Sequence, residues 1–275
     1  MPSAEESTRS ADPALGVRVS VVVPVKDDAG DLAECLRALA AQTRPPDEVV
    51  VVDNGSRDET SRVALAAGAR VVPCLEPGIP AASAEGYDAA RGELLLRLDA
   101  DCRPAPDWVE RIESAFARSP HVGAITGGAR FVDGPRPLRI PLAVLYLGAY
   151  AGTTSLALGH APLFGSNLAL RRSVWLDVRD AVHRHDPEVH DDLDLAFHIG
   201  DRHRIRYRRG LAMGISMRPF QDAAAFGQRM RRGIRTVTVH WPHDFPPRRW
   251  LRLWTRRGVA ARATAVNPRD TAARR

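Results

Sequence analysis

The 275-residue sequence contains only three cysteines, Cys35, Cys74 and Cys102. Their odd number and lack of metal-type spacing argue against a disulfide framework and a cysteine-rich zinc site, and fit a reducing, intracellular setting. No G-x-G-x-x-G turn follows the first apolar run, where Pro24-Val25-Lys26-Asp27-Asp28 stands instead, and no G-x-x-x-x-G-K-[ST] occurs. The first absence argues against a dinucleotide held on a glycine turn, and the second excludes a P-loop. Internal repeats and low-complexity tracts are missing as well. Residues 1–16 have neither a basic start nor an apolar run, so they are expected to form a flexible leader and not a secretory signal.

An apolar share of 44% against 26% charged places the chain among ordinary globular proteins, long enough for a core without staples. The net charge of +6 is unevenly spread: between Pro246 and Arg275, nine arginines face Asp270 alone, a local balance of +8. The rest of the chain is therefore slightly acidic. A nucleic-acid enzyme carries its positive stripe on the folded body, so no nucleic-acid partner is expected. The basic tail, residues 246–275, also holds Trp250, Leu251, Leu253 and Trp254. It suits an anionic membrane surface, or else it is a solvated terminus.

Continuous Val- and Leu-rich runs, Val19–Val23, Val49–Val52, Arg70–Val72 and Leu94–Leu98, read as strands. Helical spacing fills the gaps: Leu32, Cys35, Leu36 and Leu39 behind a capping-box pair Asp31/Glu34, then a segment opened by Ser56/Glu59 and closed by Gly68, then about 81–90. Strands apolar on both faces and separated by helices predict a doubly wound, Rossmann-like, mostly parallel α/β sheet. A further amphipathic helix (Trp108, Ile112, Phe116) and a strand Val122–Thr126 follow, after which the alternation breaks down. Leu138–Phe164 is apolar enough on paper to span a bilayer, but its interruptions predict a buried or interfacial helical segment.

Ligands of open α/β sheets bind beyond the carboxyl ends of the strands. Three such ends carry acids: Asp27 and Asp28, then Asp53, then Asp99 with Asp101. Alternate residues of a strand share a side, so Asp99 and Asp101 can lean into one site. Paired carboxylates repel unless a proton or cation lies between them, and an oxygen-rich set suits Mg2+ or Mn2+ bridging to phosphates.

In order, Val21-Val22-Val23-Pro24, Val51-Val52-Asp53-Asn54-Gly55-Ser56-Arg57-Asp58-Glu59-Thr60, Leu98-Asp99-Ala100-Asp101, Gly165-Ser166-Asn167-Leu168-Ala169-Leu170-Arg171-Arg172 and Asp191-Asp192-Leu193-Asp194-Leu195 resemble a family 2 glycosyltransferase of the GT-A fold over about residues 17–233. The resemblance implies a nucleotide-sugar-binding half (17–102), an acceptor-binding half of the same domain (103–245) that is helical and mixed, and the basic tail. It places Pro24 and Asp28 in the nucleotide pocket, Asp53 at the base or ribose, Asp99 near the ribose and Asp101 on a divalent metal (Mg2+ or Mn2+). Asp192 becomes the general base, with Asp191 as fallback, and Asn167 falls on the acceptor side. His240 is a candidate third metal ligand, and Arg231 with Arg232 a clamp on the diphosphate.

Plainer readings stand beside these. Asp53-Asn54-Gly55-Ser56 can be a turn and cap, and Asp191, Asp192 and Asp194 a helix-start acid cluster. Asn167 can be a loop residue alone, His183, His185 and His190 can decorate a polar loop, and Arg231/Arg232 can mark a basic helix face. Ala82-Ser83-Ala84-Glu85-Gly86 departs from the family's Ala-Arg-Asn-x-Gly, and Gly233 replaces the Trp of Q-x-x-R-W, which argues against processive synthesis.

The expected activity is inverting, metal-dependent transfer of one sugar from a UDP- or GDP-sugar to an acceptor hydroxyl in cell-envelope or lipid/polysaccharide glycoconjugate synthesis. The expected place is the cytoplasm, at the inner face of the membrane, with a lipid-linked acceptor and peripheral membrane contact through the tail. A polyprenyl-phosphate glycosyltransferase and a catalytically silent nucleotide-sugar-binding module are the alternatives. A sugar-phosphate nucleotidyltransferase lacks support, because no glycine-rich Arg-Lys loop follows the first strand.

Overall fold

The computed structural model describes residues 16–217 and 223–265. The expected leader, Gly16 excepted, lies outside the described residues, as do Arg269, Arg274 and Arg275.

The four apolar runs form parallel strands β1 (Val19–Val25), β2 (Glu48–Asp53), β3 (Arg70–Pro73) and β4 (Leu94–Arg97), with β1 between β2 and β4. The two-residue period of a strand splits them between two cores. Val21, Val23, Leu94 and Leu96 pack with α1 (Ala29–Ala40), α2 (Thr60–Ala66) and α4 (Trp108–Ala117). Val22, Val50, Val52 and Leu95 pack with α3 (Ile79–Ala89) on the other face. At Gly86 a Cβ would lie 2.3 Å from Val22 Cγ1, so only glycine lets α3 come this close. Burying Trp108, Ile112 and Phe116 contributes roughly 1.5–3 kcal/mol per side chain.

The second half extends the same sheet. Strands β5 (Val122–Phe131), β6 (Leu168–Arg171) and β7 (Arg204–Ile215) complete the order β3-β2-β1-β4-β6-β5-β7. Only β6 runs antiparallel to its neighbours, so the sheet is mostly parallel. Helices α5 (Arg139–Leu158), α6 (Arg172–Val178), α7 (Asp191–Arg202), α8 (Ala223–Val239) and α9 (Pro246–Ala265) surround it.

Several local expectations change. Helix α1 starts at Ala29, so Asp31 and Glu34 lie too far inside to form the expected capping box. The loop before α2 caps α1 instead: Ala29 N–H donates to Asp58 at 3.0 Å, while Asp31 pairs with Arg103. Ser56 likewise precedes α2 by too much to cap it; its Oγ accepts from Asp27 N–H.

Helix α5 occupies Arg139–Leu158 of the segment expected to be buried or interfacial. Ala143, Thr154, Ala157 and Leu158 are buried, whereas Ile140, Val144, Leu145 and Leu156 are at least 63% exposed. By length and composition it is the single described helix able to cross a membrane.

The first part of the basic tail is not a solvated terminus. Arg249 is fully buried, donating to the Leu158 and Phe197 carbonyls and pairing with Asp244 at 2.9 Å. Arg252 pairs with Asp244 and with Asp201, and Leu253 is buried. These arginines neutralise acids of the body, which removes them from any membrane-facing charge. Leu251 and Trp254 remain exposed.

Candidate active site

A cleft of 560 Å³ opens at the carboxyl ends of β1 and β4, within the range that holds small ligands. Pro24 and Asp28 line it from the β1 loop, Asp99 and Asp101 from the end of β4, and Asp191 and Asp192 from the first turn of α7. Acids as far apart in sequence as Asp28 and Asp192 thus face one space, because β6 and α7 return the chain beside β4.

Arg97 binds these acids together. It sits in β4 with a side chain 3% exposed, its Nη2 2.9 Å from Asp99 and 3.3 Å from Asp191. Burial favours loss of its proton, but the charges of Asp191 and Asp99 outweigh that and hold it a cation. Ser166 Oγ donates to the other oxygen of Asp99, and Ser83 Oγ donates to Asp191 at 2.7 Å. Ser83 stands on α3, so a hydroxyl from that helix meets the acid of α7.

Asp192 is held by backbone. Gly165 N–H donates to its Oδ2 and Leu193 N–H to its Oδ1, both at 2.8 Å, with the Tyr150 hydroxyl 3.3 Å away. A Cβ at Gly165 would lie 2.0 Å from Arg97 Nη1, so the Gly-Ser-Asn segment needs glycine to reach both groups. Burial raises the Asp192 pKa and the neighbouring Asp191 charge adds to this, against the pull of His190, Arg97 and the Gly165 amide. The helix N-terminus favours both acids in this turn.

Oxygens of Asp99 and Asp101 lie with Cys102 Sγ inside a 4.8 Å cluster. Burial pushes the Cys102 thiol well above its ordinary pKa, so it stays protonated and is no ligand for a hard cation. A carboxylate has about four lone-pair sites, so Asp99 can hold Arg97 and Ser166 and still offer one outward. The carboxylate pair therefore fits Mg2+ or Mn2+.

Four expected site residues sit elsewhere. Asp53 is absent from the cleft lining; it accepts from Ser56 N–H at 2.8 Å and from Ser61 Oγ, organising the turn after β2. Asn54 takes the cleft position instead. Asn167 is 1% exposed and spends its amide on Trp108, Gly128 and Leu211, so it fixes the sheet and does not meet an acceptor. Arg231 points outward to Glu188 at 2.8 Å, whereas Arg229 and Arg232, one helical turn apart, face the cleft. His240 is buried beside Asp194, outside the cluster of Asp99 and Asp101.

Arg97, the tyrosines Tyr146 and Tyr150, and Arg229 were not anticipated. A lone arginine ending the run Leu94-Leu95-Leu96 was a usable signal, as were two tyrosines one turn apart in an apolar helix. Arg229 carried none.

The sequence profile described as glycosyl transferase family 2 matches residues 20–177. A glycosyltransferase of Haloferax volcanii, AglE, is 37% identical over 101 residues, covering 34% of this chain and 33% of that protein. The undecaprenyl-phosphate 4-deoxy-4-formamido-L-arabinose transferase of Pseudomonas paraeruginosa is 35% identical over 123 residues, covering 41% and 36%. The chain thus matches about a third of the length of these curated relatives. The mannosyltransferase PcManGT from Pyrobaculum calidifontis, solved with GDP-Man and Mn2+, superposes with a TM-score of 0.61 at 22% identity, covering 95% of this chain and 79% of that one. The fold is the GT-A arrangement of a mostly parallel α/β sheet. With the matched profile spanning more than half of the sequence, the chain belongs to glycosyl transferase family 2.

Proposed function

We propose that this chain is an inverting glycosyltransferase that moves one sugar from a nucleoside-diphosphate donor to an acceptor, with a divalent cation at Asp101 and Asp99. The observation that carries the reading is the convergence of Asp99 and Asp101 with Asp191 and Asp192 on one cleft. When bound, a cation there offsets the charge that builds on a departing diphosphate. Pro24, Asp28 and Asn54 form the nucleotide wall, and Arg229 and Arg232 supply positive charge opposite.

Asp192 is the base for the acceptor hydroxyl. Burial and the neighbouring Asp191 charge raise its pKa, which suits a proton acceptor, and amides on both oxygens fix its direction. Asp191, tied to Arg97 and Ser83, is a positioning group. Attack from the α7 side on a donor anchored at β4 inverts the anomeric centre.

The exposed apolar face of α5 supports a lipid-linked acceptor, for an enzyme working in the cytoplasm at the inner face of the membrane. Release of UDP or GDP from a panel of nucleotide sugars, with and without Mn2+ and with polyprenyl phosphates among the acceptors, tests this. Metal-dependent release with sugar transfer is expected; a chain that binds nucleotide sugars but never turns them over would make it a binding module.

A further inference from the structure

A second constellation of ligating side chains lies behind the cleft. His183 in the loop after α6, Asp194 and His198 on α7, and His240 just past α8 place one nitrogen or oxygen each within 4.8 Å of all the others. Asp194 Oδ1 is the common point: His183 Nδ1 is 2.7 Å away, His240 Nε2 3.2 Å and His198 Nε2 3.6 Å. Four ligands ~2.0–2.1 Å from a central zinc ion stand ~3.3 Å from one another, a spacing these distances bracket.

The protons say the same. His240 Nδ1 is 2.7 Å from the Thr236 carbonyl, which can only accept, so Nδ1 carries a hydrogen. A neutral His240 then turns the bare lone pair of Nε2 toward a carboxylate oxygen, two acceptors face to face. His240 Nε2 and His198 Nε2 are both buried and complete no hydrogen bond. Three imidazole rings crowd this one carboxylate, with centroids 5.0–5.8 Å apart. A dication among three neutral imidazoles and one carboxylate satisfies every atom. Asp194 Oδ2 is meanwhile held by His183 N–H at 2.8 Å, and Thr236 orients His240, the outer support that metal ligands use.

We propose that His183, Asp194, His198 and His240 form a closed, four-coordinate zinc site, separate from the cation site of the cleft. Three nitrogens and one oxygen in a compact, largely buried set suit zinc over magnesium, and four protein ligands leave no open position for chemistry. The site is structural. It clips the α6–α7 loop and α8 onto α7, whose first turn carries Asp191 and Asp192 and whose partner α8 carries Arg229 and Arg232.

Metal analysis of the purified full chain and cobalt substitution test this directly. One equivalent of zinc per chain is expected, retained in Asp101→Ala and lost in His240→Ala and in Asp194→Asn. Because those two variants can fail to fold, the wild-type chain stripped by chelator is also titrated with Co2+. The visible bands of tetrahedral cobalt should appear and then vanish as Zn2+ displaces it, and Zn2+ but not Mg2+ should restore the melting temperature. A stripped chain that takes up neither Co2+ nor Zn2+, or a bound zinc that disappears in Asp101→Ala, overturns the proposal. Either result leaves the cleft reading untouched, since that rests on other residues.

Discussion

Asp192 and Asp194 stand two residues apart on α7, yet their surroundings drive them in opposite directions. At 3.6 residues per turn, two positions rotate a side chain by about 200°, so one faces the cleft and the other the histidines behind it. Burial raises the Asp192 pKa and its neighbour Asp191 raises it further. Burial would raise Asp194 too, but the imidazoles of His183, His198 and His240 outweigh it and hold this carboxyl well below the usual range. A sequence cluster that reads as one motif therefore divides into a cleft acid whose pKa is raised and an enclosed acid held ionised among histidines. Asp244, enclosed by Arg252 and Arg249, is likewise held ionised.

The largest effect should come from the chemical side. Asp192→Asn keeps size and position but removes the proposed base, so transfer should fall on the order of 10²–10⁴-fold while donor affinity is unchanged. Steady-state transfer and donor titration measure the two halves, and undiminished transfer would move the base to Asp191. Next is Arg97→Leu, which leaves Asp99 and Asp191 facing each other without their buried cation. Breaking such a pair costs about 3–5 kcal/mol, readable by denaturant unfolding; a near-neutral change would show that Arg97 does not tie the cleft together.

On the structural side, Asp244→Asn should cost roughly 1.5–3 kcal/mol, because buried Arg249 loses a charged hydrogen-bond partner. Its pH dependence has a defined sign. Burial opposes ionisation, but Arg252 and Arg249 lower the folded pKa below its usual value. The contribution is then fully present above the unfolded carboxyl's pKa and disappears as pH falls through the folded one. Wild type and variant should differ in melting temperature near neutrality and draw together in acid; a constant gap would remove Asp244 from the account. The smallest stability effect belongs to Val144→Ser with Leu145→Ser on exposed α5, within about 0.5 kcal/mol. The same pair should weaken binding to anionic lipid vesicles, and unchanged flotation would argue against a membrane role for this face.

Much of the fold could be read from the chain because continuous apolar strands and amphipathic helices leave unambiguous periods, as Val19–Val25 and Leu94–Arg97 do. Strand β7 escaped: its outer half, Arg204-Ile205-Arg206-Tyr207-Arg208-Arg209, is an exposed sheet edge and reads as a basic segment. Strand β5 was cut short at Thr126 because Gly127 and Gly128 look like a turn, while in the sheet Gly127 gives room to Leu211 and Asn167. The cleft acids were legible from their place after strands and at a helix start. Asp53, Asn167, Arg231 and His240 were misplaced because spacing along the chain does not say which way a side chain turns. Only packing around Ser61, Trp108, Glu188 and Asp194 decides that.

The central claim is that acids from β4 and from α7 serve the two ends of one bound donor and acceptor. Calorimetric binding of a nucleoside diphosphate in Mn2+ to the wild type, Asp101→Ala and Asp192→Asn tests it most directly. The account predicts metal-dependent binding that Asp101→Ala abolishes and Asp192→Asn preserves. Equal binding by all three chains, or binding indifferent to Mn2+, would contradict it.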